Sequence, residues 1–424
     1  MTIAYVIALL LCAICGAPLF IIIGGLALVL FAAVGIDSQA VIIEMYRLAS
    51  APTLLAIPLF TFAGYLLAES KSPERLVNLY RALFGWMPGG LAIVAFITCA
   101  FFTSFNGASG VTIIALGGLL YPLLTKERYS HRFSIGLITT SGSLGLLFPP
   151  SLPLILFALV AQVNVDALFL AGILPGVMMI VLLSLFSIHA GVKSKIERQP
   201  FKLSNVWPAL RGAIWILPLP VIILGGIYGG IFTASEAAAV TVVYVLFVEL
   251  FIYRDLKIRR DIPRIAADSM ILVGGVLVIL GCALGLTNYM VDEQIPMKII
   301  AMMREYITSK VMFLALLNVF LLLVGCLMDI FSATIVVVPL IVPIAKEFGV
   351  NPIHLGIIFL ANLEIGYITP PVGLNLFISS IRFKRPIPEI YRSTLPFLGV
   401  LVIALLIITY FPELSLWLPK AFGR

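Results

Sequence analysis

A chain of 424 residues in which 62% of side chains are hydrophobic and 11% charged, with a mean hydropathy of +1.16, lies far outside the balance of soluble domains. Apolar runs this long and numerous, at about 20 residues per span, describe a polytopic membrane protein. The net charge of +7 does not call for a nucleic-acid partner, because the basic residues fall in short loops, as membrane orientation alone requires.

Met1 to Leu11 carries no Lys or Arg, so no secretory signal peptide is expected. Cys12, Cys15, Cys99, Cys282 and Cys326 all sit in apolar surroundings and read as packing residues, not as a disulfide framework.

In chain order, Thr2 to Val34 reads as one long tilted or broken helix, and Pro52 to Ala68 as a span. Glu69 to Arg81, running to the breaker Met87-Pro-Gly-Gly90, reads as an interfacial segment. Leu91 to Leu124 is interrupted at Asn106 to Gly110 and has positive charge on both flanks, Lys71 to Arg81 and Lys126 to Arg132. The positive-inside rule puts both flanks in the cytoplasm, which predicts a re-entrant hairpin turning at Phe105 to Ser109. Phe133 to Ala161 then crosses outward, broken at Gly145 to Pro150, and reaches Gln162 to Asp166, which has no basic residue. Leu168 to Gly191 returns to a basic loop, Lys193 to Arg211, with Lys195 and Arg198 among its charges. Ile214 to Phe232 and Ala237 to Tyr253 form an out-and-back pair ending at the basic stretch Arg254 to Arg264. Ala266 to Met290 crosses outward, and the mixed charges of Val291 to Lys310 suit an external amphipathic segment. Val311 to Ala345 is a second hairpin, with its tip near Gly325 to Asp329, entering from the opposite face. Asn351 to Ile381 crosses inward, broken at Gly366 to Pro371, and Leu395 to Leu418 is the last span.

The break Gly145-Leu-Leu-Phe-Pro-Pro150 returns 221 residues later as Gly366-Tyr-Ile-Thr-Pro-Pro371. Each is preceded by a second irregular patch, Thr103 to Gly110 and Gly325 to Ser332. Prolines remove backbone donors and clash with the preceding turn, so these stretches interrupt helices. Non-helical backbone at membrane depth survives only where protein or a watery cavity covers it, and paired breaks in corresponding halves point to a transporter's site. The expected fold is therefore an all-α polytopic membrane protein, an inverted repeat with two re-entrant helical hairpins and two broken helices. The expected division is 1–86 as N-terminal scaffold, 87–163 as the first transport half, and 164–265 as further scaffold. After these come 266–310 as a scaffold helix with an external arm, 311–381 as the second transport half, and 382–424 as the C-terminal helix.

Freed carbonyl oxygens suit a hard cation that has shed its water, and the absence of a His or Cys cluster favours Na⁺ over a transition metal. Asn106, Ala108, Gly145, Phe148 and Pro150 are candidates to ring one ion. Gly325, Met328, Gly366, Thr369 and Pro371 are candidates for another, so two or more Na⁺ and no organic cofactor are expected. Half-helix N-termini attract anions, which suggests an organic anion carried with sodium. Ser104, Asn106, Ser109, Thr112, Asn362, Thr369 and Asn375 can donate to it, and Ser104, Ser109, Asn362 and Asn375 are the candidates assigned to the substrate. Asp329 is the sharpest single residue, since a carboxylate within a span is expensive; it is a candidate for ion or substrate binding, or for a salt bridge. Glu364 and Glu236 are weaker candidates, with Glu236 expected to cap the helix after Thr233-Ala-Ser235.

Phe101-Phe102, Asn106-Gly-Ala-Ser109, Gly145-Leu-Leu-Phe-Pro-Pro-Ser151, the stretch Gly225 to Val240 and Ile368-Thr-Pro-Pro-Val-Gly-Leu-Asn-Leu-Phe377 together resemble the large membrane subunit of tripartite ATP-independent periplasmic (TRAP) transporters. The resemblance covers nearly the whole chain. It implies a Na⁺-driven elevator-type importer in the bacterial inner membrane. It also implies a small membrane partner subunit, a periplasmic substrate-binding protein, and organic anions such as C4-dicarboxylates or sialic acid. Membrane lipid is the surrounding partner and nucleic acid is not expected. Family members commonly have Ser where this chain has Asn106. A stand-alone sodium–carboxylate symporter remains the alternative. The Glu236-Ala-Ala238 segment would suit an ATP-driven importer only on the cytoplasmic face, and it falls outside. Neither His-Glu-x-x-His nor Gly-x-Ser-x-Gly is present to suggest an enzyme.

Overall fold

The computed structural model describes residues 17–423 except 38, 194–201, 296, 300, 302–306 and 308, together with 5, 7–9 and 11–12. Among the described residues all regular structure is helical. The helices are α1 (Leu19–Ala33), α2 (Gln39–Ala49), α3 (Ala56–Glu69), α4 (Ser72–Phe84), α5 (Gly90–Asn106), α6 (Ser109–Lys126), α7 (His131–Ser141), α8 (Leu152–Ala161) and α9 (Val165–Lys193). They continue as α10 (Leu203–Ala213), α11 (Pro218–Tyr228), α12 (Ala234–Phe247), α13 (Asp261–Asp292), α14 (Lys310–Leu327), α15 (Ile330–Glu347), α16 (Pro352–Gly366), α17 (Leu374–Phe383), α18 (Ile387–Tyr410) and α19 (Glu413–Ala421). Eight helices among the described residues are long and apolar enough to cross a membrane, or up to ten if each bent pair counts as one span.

Local chemistry sets the ends of these helices. Gly89 and Gly107, at φ +79° and +65°, bracket α5, because only a residue without Cβ takes the left-handed region freely. Thr233 and Glu236 form a reciprocal capping box at the start of α12, the capping role expected of Glu236. Asp329 caps α15 and Ser309 caps α14.

Helix boundaries recur at the spacing of the Pro-Pro motifs. Helix ends at Asn106 and Leu327, starts at Ser109 and Ile330, ends at Lys126 and Glu347, and starts at His131 and Pro352 are each 221 residues apart. Two hairpins, α5–α6 and α14–α15, thus precede two interrupted helices, α7–α8 and α16–α17, and the peptide bonds Pro149-Pro150 and Pro370-Pro371 are both cis. The packing also crosses between halves: α6 lies against α17, and α15 against α8. Around this centre, α3 packs on α5, α12 and α13, while α7 and α9 pack on α18.

Several expectations need correcting. The last span lies at 387–410 instead of 395–418; Pro412 lacks the donor needed to continue the helix, and the remainder folds separately as α19. Part of the basic stretch 193–211 is helical: α10 packs on α4 and bends 57° into α11, so Ile214 to Phe232 is not one straight span. Lys195 and Arg198 lie outside the described residues, as do Cys15 and much of the arm between Val291 and Lys310. In the first apolar stretch, residues 5, 7–9 and 11–12 are helical and α1 begins after Pro18, which agrees with the broken form of the helix expected there.

The breaks are seated by backbone approach. A Cβ built on Gly145 would lie 2.3 Å from the Ala100 carbonyl oxygen and 2.5 Å from the Ser104 nitrogen. A Cβ on Gly366 would lie 2.5 Å from the Gly325 carbonyl carbon. Gly145→Ala and Gly366→Ala should each destabilise the purified protein by about 1–3 kcal/mol, the usual cost of overpacking, read as a lower thermal-unfolding midpoint in detergent. Gly274→Ala, where nothing lies within 4 Å, should leave it unchanged or slightly raised; equal losses at all three sites would contradict the close crossings.

Candidate functional site

The two hairpin tips open onto one cavity of about 300 Å³. Gly107, Ala108 and Ser109 line it from the first tip and Asp329 to Phe331 from the second, with Tyr65 of α3 and Tyr367 of the second break closing its sides. A further cavity of about 280 Å³ lies on the other side of Asp329, between Met328 and Phe377. A larger one, about 630 Å³, lies between the stretches 162–166 and 230–236 and touches neither tip.

The first tip is braced from within. The Asn106 side-chain oxygen accepts from the Ala108 amide at 2.8 Å, and its NH₂ donates to Thr112 Oγ1 at 3.1 Å. Thr103 Oγ1 lies 2.7 Å from Thr112 Oγ1 and donates to the Gly142 carbonyl at 2.8 Å, tying the hairpin to the first break. Ser109 Oγ donates to Asn375 Oδ1 at 2.6 Å, so two sequence candidates 266 residues apart meet in the buried centre. Asn375 in turn donates to the Thr139 carbonyl at 3.3 Å. At the second tip, Asp329 Oδ1 accepts from the Phe331 and Ser332 amides, both at 3.0 Å.

The carbonyl candidates cluster around the tips and breaks. The Gly145 and Gly366 oxygens accept from the Phe148 and Thr369 amides at 3.0 Å, Phe148 O accepts from the Ser151 amide, and Pro371 O accepts from the Tyr391 hydroxyl. Each carbonyl oxygen has two lone pairs, so these groups keep one for a cation. Gly325 packs on Leu363 and Gly366, Met328 precedes the α15 cap, Pro150 ends the first cis pair, and Thr369 Oγ1 donates to the Ile365 carbonyl. Among the described residues no three His, Cys, Asp or Glu side chains form a metal-binding group.

Other candidates fall elsewhere. Ser104 donates to the Phe101 carbonyl within its own helix. Asn362 does not line either tip cavity; its amide donates to Asn318 at 2.8 Å, in a buried network with Thr409. Glu364 is fully buried, neither carboxyl oxygen having a hydrogen-bond partner among the described residues, and its backbone oxygen accepts at 3.5 Å from Ser143, its counterpart at the 221 spacing.

Sequence reasoning named Thr112 as a donor but not its pairing with Thr103, and it did not name Tyr65 or Tyr367, although Tyr367 stands inside the break marked at 366–371. It also missed Glu249, buried in a π-helical turn after α12, where Ser72 and Ser70 donate to Oε1 at 2.6 and 3.1 Å. A lone carboxylate in an apolar run was the available signal. Near it Arg75 pairs with Asp255 and stacks 3.8 Å over the Tyr253 ring, holding α4 to the end of α12. Burial alone would raise the Asp255 carboxyl, but Arg75 and the Lys71 amide outweigh it and hold it below the usual range.

Residues 3–414 match the family described as "Tripartite ATP-independent periplasmic transporter, DctM component". The chain belongs to that family. This TRAP large permease is 38% identical over 402 residues to the C4-dicarboxylate TRAP transporter large permease protein DctM of Pseudomonas aeruginosa, covering 94% of this chain and 93% of that one. It is 33% identical to the isethionate TRAP transporter permease protein DctMQ of Oleidesulfovibrio alaskensis, covering 97% of this chain and 69% of that longer protein. The solved structure of the Alcanivorax borkumensis YdaH transporter shares the fold, with a TM-score of 0.61 at 16% identity, over 91% of this chain and 88% of that one. The TRAP permease is accordingly a multi-pass protein of the bacterial inner membrane and a transport subunit, not an enzyme. Membership implies work with a substrate-binding protein and a small membrane partner.

Asp329 has two separable properties, a capping acceptor and a charge. Asp329→Ala should lose both, lowering thermal stability by about 1 kcal/mol, the usual worth of an N-cap. Asp329→Asn keeps the acceptor and should retain stability. Both should lose most uptake in proteoliposomes; near-normal uptake by the Asn variant would reduce Asp329 to a cap.

Proposed function

We propose that this TRAP permease imports a small organic anion of the C4-dicarboxylate type together with Na⁺, the anion held in the cavity between the hairpin tips and the cations at the tips and breaks, where of the ten carbonyl candidates only Ala108 lines the cavity itself. The meeting of the two tips at one cavity carries this reading. Carbonyl oxygens at Asn106, Ala108, Gly145, Phe148 and Pro150, and at Gly325, Met328, Gly366, Thr369 and Pro371, would hold two or more cations. The α6 N-terminus at Ser109 would face the anion. No Lys or Arg lines the cavity, so bound cations would balance the substrate's charge, which makes transport depend on them. The Pseudomonas relative's name favours C4-dicarboxylates over sialic acid.

The movement we infer is an elevator, in which hairpins and broken helices slide against α3 and α13. Gly64 of α3 supports it: a Cβ there would lie 2.5 Å from the Phe105 carbonyl oxygen, so at that point α3 meets the end of α5 backbone to backbone. The basic loops after α6 and α17 would both be cytoplasmic, giving the halves opposite orientation.

In proteoliposomes holding the permease, its small membrane partner and its binding protein, succinate uptake should require a Na⁺ gradient and fall to background when K⁺ replaces Na⁺. Full uptake in K⁺ would overturn the coupling. Lys126→Cys and Arg385→Cys should both react with an impermeant maleimide only from the cytoplasmic face; opposite sides would remove the inverted repeat.

A further inference from the structure

The orientation of the Ser109 hydroxyl is dictated by a residue of the other half. The Asn375 NH₂ donates to the Thr139 carbonyl at 3.3 Å. A carbonyl only accepts, so the opposite end of that amide, Oδ1, is the one turned to Ser109, and Oδ1 only accepts as well. The Ser109 hydroxyl therefore spends its single proton on Asn375, at 2.6 Å. Ser109 is 3% exposed and Asn375 and Thr139 are 0% exposed, so water does not compete for that proton. What remains to Ser109 Oγ is two lone pairs, and the residue lines the cavity between the tips. A hydroxyl held this way cannot donate to a carboxylate.

Across the same cavity stands a second group that can only accept. Asp329 Oδ1 is occupied by the Phe331 and Ser332 amides, and among the described residues no hydrogen bond or ion pair reaches Oδ2. No Lys or Arg lines the cavity to answer its charge. We propose that Ser109 Oγ and Asp329 Oδ2 are ligands of one Na⁺ held between the tips, distinct from the carbonyl groups within each half, and that Asn375 is the positioning residue that makes Ser109 a ligand. Two oxygens without protons to give suit a hard monovalent cation. The repeat does not duplicate this position: the counterpart of Ser109 at the 221 spacing is Ile330 and that of Asp329 is Ala108, so each half supplies one ligand. The proposal rests on reading the cavity as the transport site and Na⁺ as the coupling ion. An anion at the α6 N-terminus would then share the cavity with Asp329, and a cation between the two screens one from the other.

The permease in complex with its small membrane partner, purified in detergent, is titrated with NaCl against choline chloride at constant ionic strength while the thermal-unfolding midpoint is followed. An ion that binds only the folded protein raises that midpoint. Ser109→Ala and Asp329→Asn should each raise the half-saturating Na⁺ concentration about tenfold or more, the scale on which losing a group around a metal weakens its hold. The double variant should go no more than about twofold beyond the more affected single, because both remove the same ion. Ser109→Thr keeps the oxygen and should titrate like the unaltered complex. The midpoint without Na⁺ reads structural loss separately. Unchanged titrations in both single variants, or effects that multiply in the double, overturn the proposal. So does a Ser109→Ala complex whose Na⁺ titration is unaltered while its half-saturating succinate in uptake rises, the signature of a donor to substrate. Should Ser109→Ala not be recovered folded, Asp329→Asn, which keeps its capping acceptor, decides alone. An unaltered complex that ignores Na⁺ removes the coupling together with this site; a response that the variants retain removes the site only.

Discussion

The constraint on which the centre depends is backbone meeting backbone without side chains between. Gly145 rests on the Ala100–Ser104 turn of α5, and Gly366 rests on Gly325 of α14. In lipid, irregular main chain must be covered by protein, and the nearest cover for each break is its own hairpin arm. Those two seatings place the Pro-Pro turns beside the tips. Only then can Ser109 reach Asn375 and the tips share a cavity. Larger residues at the crossings would push each hairpin off its break and separate the groups that the cavity brings together.

The repeat was legible because its signal is in breakers, and breakers act locally. Gly-x-x-x-Pro-Pro interrupts the helices at 145–150 and 366–371, and the tips at 107–108 and 328–329 fall inside the irregular patches marked upstream of those breaks. Ends set by weaker signals were less legible. The last span was displaced because apolarity continues past Tyr410, and Pro412 gives no warning of where the preceding helix began. The segment 203–213 is amphipathic, but its basic flanks resemble a loop until α4 is present for it to pack on.

At the site itself, residue types were more legible than partners. Ser109 and Asn375 could each be named as donors, yet nothing in the chain indicates that one binds the other. Asn362 reads no differently from Asn375, though the first is absorbed by Asn318 and Thr409 and the second stands at the centre. Asp329 drew attention as a costly carboxylate, and part of that cost is met by the two amides it caps. Tyr367 stands inside the marked break 366–371, but a tyrosine beside apolar residues reads as packing and its hydroxyl's partner is not legible from the chain.

The crossed packing of the halves bears on how such a site could move. Because α6 lies on α17 and α15 on α8, neither hairpin can shift far without carrying the other half's broken helix. The Thr139–Ser379 and Ser143–Glu364 hydrogen bonds add buried cross-half ties. Separate motion of the two halves would break these buried contacts together, and each lost hydrogen bond in a water-free interior leaves a donor unsatisfied. A displacement of the whole centre as one body breaks none of them. The boundaries that must yield instead are those with α3, α4, α9, α13 and α18, and at α3 Gly64 presents bare backbone to the end of α5.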